Sequence, residues 1–158
     1  MTKKNIRKDQ FLGKLPQSQI EDDVDKFKNK LNFNFGFFDN TQKAGQDFKD
    51  WDHKQLYKLL DKLKEYCKYD LEYWKRAHIG NKEGTVLTIY NSFPAKSDFT
   101  IPKNIPLDVE WGRFRLEGAV RLAGFIINSA TCRNCELQPN TFYVVFLDKD
   151  HRFYLTEH

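Results

Sequence analysis

The clearest hydrophobic pattern in the chain is helical and lies between residues 53 and 67. Leucines recur there at steps of three and four residues, while lysine, aspartate and glutamate take the other positions. Asp52 precedes this run as a good N-cap, and Asp70 begins a second helical run that Gly80 ends. The short joint between the two runs predicts a helical hairpin.

Before the hairpin the hydrophobic period changes from helical to two. Apolar residues occupy every second position from Leu31 to Phe37, which predicts a strand over 31–38 with one buried face. We expect three phenylalanines of this strand in the core: Phe33, Phe35 and Phe37. Further upstream, apolar residues recur at helical intervals and predict a helix over about 19–30.

After the hairpin the chain is rich in β-branched and aromatic residues, which predicts a run of strands. We expect these strands at 85–90, 109–117, 120–128 and 141–148, with a short final strand in the last eight residues. The 141–148 segment is apolar throughout, which is typical of a central strand. Helices followed by strands with tight joints predict an α+β fold. Its sheet would be largely antiparallel and packed against the hairpin, with an extra N-terminal helix.

The composition and length of the chain indicate a single folded domain. The chain has 158 residues and 15% of them are aromatic, which excludes a mainly disordered chain. The formal net charge is +4, and residues 1–20 alone carry five basic groups against one acidic group. We therefore divide the chain into a flexible basic tail at 1–18 and a single α+β domain at 19–158.

No part of the sequence predicts a membrane location. No window approaches 18 consecutive apolar residues, and the basic N-terminus lacks the apolar core of a secretory signal. The three cysteines leave at least one without a partner in the chain. We therefore expect a cytoplasmic protein without a membrane partner.

The C-terminal half carries a pattern found in a group of bacterial proteins. It runs W-x-R-F-R from Trp111, continues through Gly118 and Arg121, and then has an aliphatic strand and a His-containing end. Together with the earlier strand and hairpin, this pattern resembles the RelE/ParE-like bacterial toxins over about 31–155. The ending F-x-V-x-F-L-D-x-x-H-x-F-Y also resembles that of an uncharacterised branch of small bacterial proteins.

This resemblance implies a function as well as a RelE-like fold. Family members that cut RNA usually do so on the ribosome, by promoting attack of the ribose 2′-hydroxyl on the adjacent phosphate. The resemblance thus implies a toxin of a toxin–antitoxin system, an endoribonuclease whose partners are mRNA, the ribosome and a cognate antitoxin protein. Other members bind DNA gyrase and cleave nothing. The alternative is therefore a non-catalytic interaction module of the same fold, either gyrase-binding or a phage-defence component.

Five side chains are candidates for the catalytic site. Arg113 and Arg115 are two residues apart on a strand and share a face, and Arg121 on the next strand can join them to hold a phosphate. His151 is suited to proton transfer, and Tyr154 meets it only if the C-terminal segment turns. In the alternative interpretation, His151 is an idle residue of a solvated turn. The arginines would then pair with nearby carboxylates: Glu110, Glu117 or Asp148.

Further basic residues are candidates for nucleic-acid contacts: Arg152, Lys149, Lys75 and Arg76. A basic helical face can bind RNA phosphates, but acidic residues are interleaved along the hairpin, which is also typical of a solvated helix. Exposed aromatic rings around the hairpin could stack on bases, although such rings more often form the core. A third hypothesis is a nucleic-acid-binding accessory protein that uses the basic tail.

The sequence predicts neither a cofactor nor a metal. Cys132 and Cys135 have the spacing of half a zinc site without a second pair, so inert cysteines are favoured over a metal half-site or a redox pair. The sequence also has no P-loop, dinucleotide-binding, zinc-protease or serine-hydrolase motif. RNA cleavage by 2′-hydroxyl attack requires no metal and is compatible with this composition.

Overall fold

The computed structural model describes residues 28–81, 84–128 and 136–156 of the chain. Over these residues the protein is an α+β structure with a five-stranded mixed sheet. The basic tail predicted at 1–18, and nearly all of the helix predicted at 19–30, lie outside the described residues. Within the described ranges, no helix is long and apolar enough to cross a bilayer.

The sheet combines one strand that precedes the helices with four that follow them. The strands are β1 (Asn32–Asn34), β2 (Leu87–Ile89), β3 (Val109–Arg115), β4 (Arg121–Ile127) and β5 (Thr141–Asp148). Their order in the sheet is β1-β5-β4-β3-β2. β1 runs parallel to β5, while the other three pairings are antiparallel, so the sheet is largely antiparallel.

The apolar segment at 141–148 forms an interior strand. All eight residues of β5 are buried, because β1 and β4 flank the strand and both faces of the sheet are covered. The middle position of the five belongs to β4, whose pairing with β5 shifts register between Ala123 and Gly124.

A short 3₁₀ helix (Phe48–Asp50) and two α-helices, α1 (His53–Tyr66) and α2 (Leu71–Arg76), follow β1. The Asp52 side chain accepts a hydrogen bond from the Gln55 N–H, and the Gln55 side chain accepts one from the Asp52 N–H, which fixes the start of α1. The Asp70 side chain accepts from the Tyr73 N–H (2.7 Å) and caps α2. Both predicted N-caps are therefore present.

The predicted end of the second helix at Gly80 is wrong. α2 ends at Arg76, because the following residues pair with the chain that enters β2. The Ala77 carbonyl accepts a hydrogen bond from the Val86 N–H (2.9 Å), and His78 forms a β-bridge with Thr85. A backbone committed to these pairs cannot continue the helical hydrogen bonds.

The strand predicted at 31–38 is much shorter than expected, since β1 ends at Asn34. The Asn34 side chain accepts a hydrogen bond from the Gly36 N–H (2.7 Å), and the Phe38 N–H donates to the Phe35 carbonyl (3.0 Å). An asparagine that bonds to the backbone two residues ahead starts a turn, and a turn breaks the period of two.

This turn sends the phenylalanines to different places. Phe33 packs against Phe114 and Phe142, whereas Phe37 packs on the other side of the sheet against Phe125. Phe35 is 37% exposed. The predicted single buried face of this segment is therefore wrong.

The two sides of the sheet carry separate cores. The helix-covered face packs against α1 and α2, and its buried sheet residues include Leu87, Phe114, Leu122, Phe142 and Val144. The loop-covered face lies under the 91–106 loop and the C-terminal segment, and its buried residues include Phe99, Trp111, Phe125, Tyr143, Phe146 and Phe153.

The final strand predicted in the last eight residues is wrong over 151–156, the part that the structure describes. The N–H groups of Arg152 and Phe153 donate to the Asp148 carboxylate (2.8 and 2.9 Å), so the chain turns directly after β5. The fully buried Phe153 ring then packs on Phe146. This segment covers the loop-covered face instead of extending the sheet.

Candidate functional site

Three arginines converge at the end of the sheet where β3 ends and β4 begins. Arg113 and Arg115 lie on β3, and Arg115 faces Arg121 directly across the β3–β4 pair. Phe114, between the first two, belongs to the helix-covered face, so the arginines extend from the opposite side. The structure brings together the three residues that the strand pattern placed on one face, and they are called the arginine cluster below.

The arginine cluster lines a cavity of about 300 Å³. The rest of the wall comes from β2 and the residues before it: Gly84, Thr85, Val86 and Thr88. The hydroxyl oxygens of Thr85 and Thr88 lie 3.2 Å apart. A cavity of this size is at the lower end of the range for small-ligand sites.

The carboxylates that could neutralise the arginine cluster have other partners. Glu110 accepts a hydrogen bond from Asn128 (3.3 Å), Glu117 forms an ion pair with Lys58 on α1, and Asp148 accepts two backbone hydrogen bonds. Among the described residues, no carboxylate lies within 4.0 Å of a guanidinium of the cluster. The ion pairs of the alternative interpretation therefore do not form.

Several buried polar atoms around the cavity have no hydrogen-bond partner among the described residues: Arg113 Nε, Arg121 Nε and the Tyr90 hydroxyl. Arg121 is 4% exposed, and its Nη1 donates to the carbonyls of Gly118 (2.7 Å) and Val120 (2.9 Å). Burial and the repulsion of the neighbouring arginines lower the pKa of Arg121 to about 10. Because unpaired buried donors are unfavourable, a ligand rich in acceptors would be stabilised here.

His151 reaches the cluster because the chain turns sharply after β5. The buried Asp148 carboxylate holds the N–H groups of Arg152 and Phe153, and His151 just before them has a left-handed φ of 59°. Burial raises the pKa of Asp148, and the two backbone hydrogen bonds oppose this rise. A non-glycine residue rarely takes such a φ, so the contacts of Asp148 and Phe153 impose the turn.

The imidazole of His151 is bonded to the arginine cluster. Arg113 Nη1 donates to His151 Nε2, and since a guanidinium only donates, this assigns the ring proton to Nδ1. Burial and the positive charges of the cluster lower the pKa of His151 to about 4. The imidazole is therefore neutral at neutral pH. His151 is not among the residues that line the cavity, and Arg113 connects it to the cavity.

Tyr154 packs beside Tyr90, because the segment after β5 turns. Its ring stacks on that of Tyr90, with centroids 5.0 Å apart and planes 2° apart, and it is 38% exposed. Burial raises the pKa of the Tyr90 hydroxyl, and the positive charge of nearby Arg113 opposes this rise. The hydroxyl has no hydrogen-bond partner of acceptable geometry among the described residues. Sequence reasoning missed Tyr90, and the available signal was its position two residues beyond Thr88, within the strand predicted at 85–90 and just after the end of β2.

Two of the predicted nucleic-acid contacts lie in the same turn as His151. Arg152 and Lys149 flank His151 in the turn after β5. The Nε of Arg152 is 2.7 Å from Asp98 Oδ2, so its charge is partly balanced, whereas the side chain of Lys149 is exposed. Among the described residues, no hydrogen bond joins either side chain to the arginine cluster.

The other two predicted contacts, Lys75 and Arg76, lie elsewhere. They are on α2, which packs against the helix-covered face. Lys75 Nζ is 2.7 Å from Glu72 Oε1, and Arg76 Nε donates to the Glu72 carbonyl (3.2 Å). The structure therefore does not bring them to the arginine cluster.

Aromatic residues around the helices divide between core and surface. Tyr66 and Trp74 are buried, and Trp74 Nε1 donates to the Tyr66 carbonyl (2.7 Å). Tyr57, Tyr69 and Tyr73 are exposed, and the last two stack on each other at 4.0 Å. Tyr69 and Tyr73 line a groove of about 490 Å³ beside α2, and Arg115 of the arginine cluster also contributes to its wall.

The cysteine pair at Cys132 and Cys135 lies outside the described residues. Among those that the structure describes, no three His, Cys, Asp or Glu side chains are arranged to hold a metal ion. The remaining cysteine, Cys67, is a free thiol at the end of α1, and burial raises its pKa.

Comparison with known proteins does not assign a family. The sequence matches no family model, no curated protein and no solved structure. The resemblance to the RelE/ParE-like toxins therefore stays a prediction. The fold and the site define an α+β protein with a cationic, partly buried cavity, and a function for it rests on that geometry.

Proposed function

We propose that the protein is an endoribonuclease and the toxin of a toxin–antitoxin system. The observation that carries the proposal is the arginine cluster: its three guanidiniums have no described carboxylate within 4.0 Å, and that of Arg113 contacts a neutral histidine. A phosphodiester under attack gains negative charge in its transition state, and preorganised cations stabilise that charge. Guanidiniums held in a partly buried site do so with little rearrangement.

In the proposed reaction the ribose 2′-oxygen attacks the adjacent phosphorus. The bond from this oxygen to phosphorus forms as the bond to the 5′-oxygen breaks, which leaves a 2′,3′-cyclic phosphate and a 5′-hydroxyl. The arginine cluster holds the phosphate, His151 takes the proton of the 2′-hydroxyl, and Tyr154 donates a proton to the 5′-oxygen. His151 Nε2 becomes available when Arg113 turns from it to the phosphate.

The order of elements supports a RelE-like fold for this nuclease. One strand, two helices and then four strands follow one another as in the resemblance drawn from the sequence. We therefore propose ribosome-bound mRNA in the cytoplasm as the substrate and a cognate antitoxin protein as the partner. Arg152 and Lys149 would contact the RNA beyond the cut site, while Lys75 and Arg76 would contact other parts of the ribosome.

The test is induced expression in bacteria together with a cleavage assay on translating ribosomes. We expect arrested growth and mRNA fragments with 2′,3′-cyclic phosphate ends. Arg115→Ala and His151→Ala should each lower the cleavage rate by about a hundredfold or more. Lys64→Ala removes a largely exposed lysine on α1 and should leave the rate unchanged. A wild-type protein that neither slows growth nor cuts mRNA would contradict the proposal.

A second candidate function is binding without catalysis, as a gyrase-binding or phage-defence component. Tyr57 and Leu60 on α1 are 65% and 64% exposed, and Tyr57 lines a groove of about 470 Å³ beside the β3–β4 turn. Exposed apolar side chains on a helix are a common basis for partner binding. In this case Tyr57→Ala with Leu60→Ala would abolish the effect on growth, and His151→Ala would be silent.

A further inference from the structure

Arg113 belongs to two environments at the same time. Its side chain lines the cavity together with Arg115 and Arg121. One of its terminal nitrogens donates to His151 Nε2, while its Nε is buried without a described partner. An anion that enters the cavity can therefore bind the unused donors of Arg113 and can also compete with His151 for the donor on the terminal nitrogen.

We propose that this cavity binds a doubly charged tetrahedral anion, such as a terminal phosphate, and that His151 takes up a proton when the anion binds. The proposal deepens the proposed function and rests on it for the choice of phosphate as the ligand, but it concerns binding and not cleavage. A double charge fits because the cluster carries three positive charges, and a singly charged phosphodiester reaches a double charge only in the transition state of its cleavage.

The first reason for the coupling is electrostatic. Ionisable groups of several elements surround His151: Arg113 and Arg115 of β3, Arg121 of β4, Asp148 of β5, Tyr90 after β2, and Lys149, Asp150, Arg152 and Tyr154 of its own segment. Burial and the arginine charges keep the pKa of His151 at about 4 while the cavity holds no anion. Two negative charges beside the same guanidiniums offset most of this repulsion, so the pKa returns towards its ordinary value of about 6.5.

The second reason is the exchange of hydrogen bonds. Arg113 donates to the lone pair of His151 Nε2, and this bond can exist only while that nitrogen carries no proton. An anionic oxygen is a stronger acceptor for a guanidinium than a neutral imidazole is. Once Arg113 turns to the anion, Nε2 is free to bind a proton and to donate it in a hydrogen bond to the same anion.

Linkage turns this exchange into a measurable pH dependence. The filled site holds one more proton than the empty site, so the affinity for the anion rises as the pH falls between the two pKa values of His151. The rise is at most about tenfold for each pH unit in that interval. Sulfate is the better probe because it stays doubly charged over the whole interval, whereas phosphate loses its second charge near pH 6.

The experiment is a sulfate titration of the full chain at about pH 7 and about pH 5.5. Calorimetry measures the affinity, and the NMR signals of the histidine rings report their protonation. For the wild type we expect the affinity to rise severalfold, by at most about eightfold, at the lower pH, and the His151 ring to become protonated as sulfate binds. Arg115→Gln should lose sulfate binding. Lys64→Gln also removes one positive charge, but from an exposed position on α1, and it should bind sulfate as the wild type does.

His151→Asn is the decisive variant. Asparagine tolerates the left-handed φ of residue 151, and this side chain is not part of the cavity wall, so the cavity stays in place, but the amide cannot take up a proton. We expect this variant to bind sulfate with an affinity that does not change with pH. Equal pH dependence in the wild type and in His151→Asn would overturn the proposal, as would the absence of sulfate binding to the wild type.

Two comparisons identify the source of the anion and separate the two proposals. A 3′-phosphorylated RNA dinucleotide that binds more tightly than inorganic phosphate supports an RNA end as the ligand, and equal affinities support free phosphate. RNA cleavage without sulfate binding would overturn the anion proposal and leave the nuclease standing. Proton-linked sulfate binding without RNA cleavage would support the anion proposal and contradict the nuclease proposal.

Discussion

The helix-covered face and the loop-covered face of the sheet differ most at the end where β3 meets β4. On the helix-covered face, the fully buried Phe114 packs against Phe33, Tyr66 and Phe142. On the loop-covered face, the aromatic core around Phe153 stops short of this end, and the arginine cluster takes its place. One face thus supplies a packed support, and the other presents a charged cavity on the same strands.

The distribution of unpaired polar atoms shows what this difference means. Four buried side-chain nitrogen or oxygen atoms have no partner among the described residues, and three of them surround the arginine cluster. The fourth, Trp51 Nε1, is on the helix-covered side. Unpaired buried donors reduce stability, so their concentration beside the cavity is typical of a site that is completed by a ligand.

The strongest test of this division compares two fully buried phenylalanines, one from each face. Phe114→Ala and Phe153→Ala should each lower the free energy of unfolding by about 3–5 kcal/mol, because each leaves a cavity in a packed core. Only Phe153→Ala should also weaken proton-linked sulfate binding, since Phe153 anchors the turn that carries His151. Urea denaturation and sulfate titration measure the two effects. An equal loss of sulfate binding in both variants would show that the site depends on both faces of the sheet alike.

Asp148→Asn should have the next largest effect. The Asp148 carboxylate accepts from two backbone N–H groups, and an amide can accept only one of them and turns its NH₂ group towards the other. We expect a loss of about 2 kcal/mol in the free energy of unfolding and weaker sulfate binding, because the turn at His151 loosens. Asp150→Asn removes an exposed carboxylate from the same turn and is the control. Unchanged binding in Asp148→Asn would mean that this turn does not position His151.

The helix-covered face could be read from the sequence because its signals are local. The leucine spacing of α1 and the caps Asp52 and Asp70 lie within a few residues of the structures that they set. The strand pattern likewise placed Arg113 and Arg115 on one face. The main local error, the extent of β1, came from a turn at Asn34 that the alternation of phenylalanines concealed.

The loop-covered face was less predictable because its contacts are distant along the chain. His151 meets Arg113 across 38 residues, and that contact depends on a buried carboxylate that sequence reasoning had considered as an ion-pair partner. Tyr90 and Tyr154 stack only because the last segment turns where a strand was predicted. Periodicity reports which face a side chain takes within a strand, and it does not report how an irregular segment folds back onto that face.

Tyr66→Phe probes the link between the two faces and should have a smaller effect. The Tyr66 hydroxyl donates to the Arg115 carbonyl, and burial raises the pKa of Tyr66, so the group stays a donor at ordinary pH. The variant keeps the stacking on Phe114 and loses one hydrogen bond, which should lower the free energy of unfolding by about 1 kcal/mol. Tyr69→Phe, on an exposed ring, is the matched control. If Tyr66→Phe and Tyr69→Phe are equally stable, the hydrogen bond from Tyr66 to Arg115 does not stabilise the fold.

The smallest expected effect is a pH dependence of stability that comes from the loop-covered face alone. The pKa of His151 is about 4 in the folded protein and about 6.5 in the unfolded chain, so the unfolded chain binds the proton more readily. The contribution of His151 is therefore fully present above about pH 6.5 and is lost as the pH falls towards 4. Because the ring is partly exposed, we expect about 1 kcal/mol over this range.

His151→Asn should remove this loss, and urea denaturation of the wild type and the variant across the range measures it. Asp148 acts with the opposite sign, since its raised pKa favours the folded state at low pH and this contribution is lost as the pH rises through that pKa. It is present in both proteins and cancels in their difference. Saturating sulfate should flatten the wild-type profile in the same way, because it returns the pKa of His151 towards its unfolded value. Parallel profiles for the wild type and His151→Asn would mean that the arginine cluster does not act on this histidine.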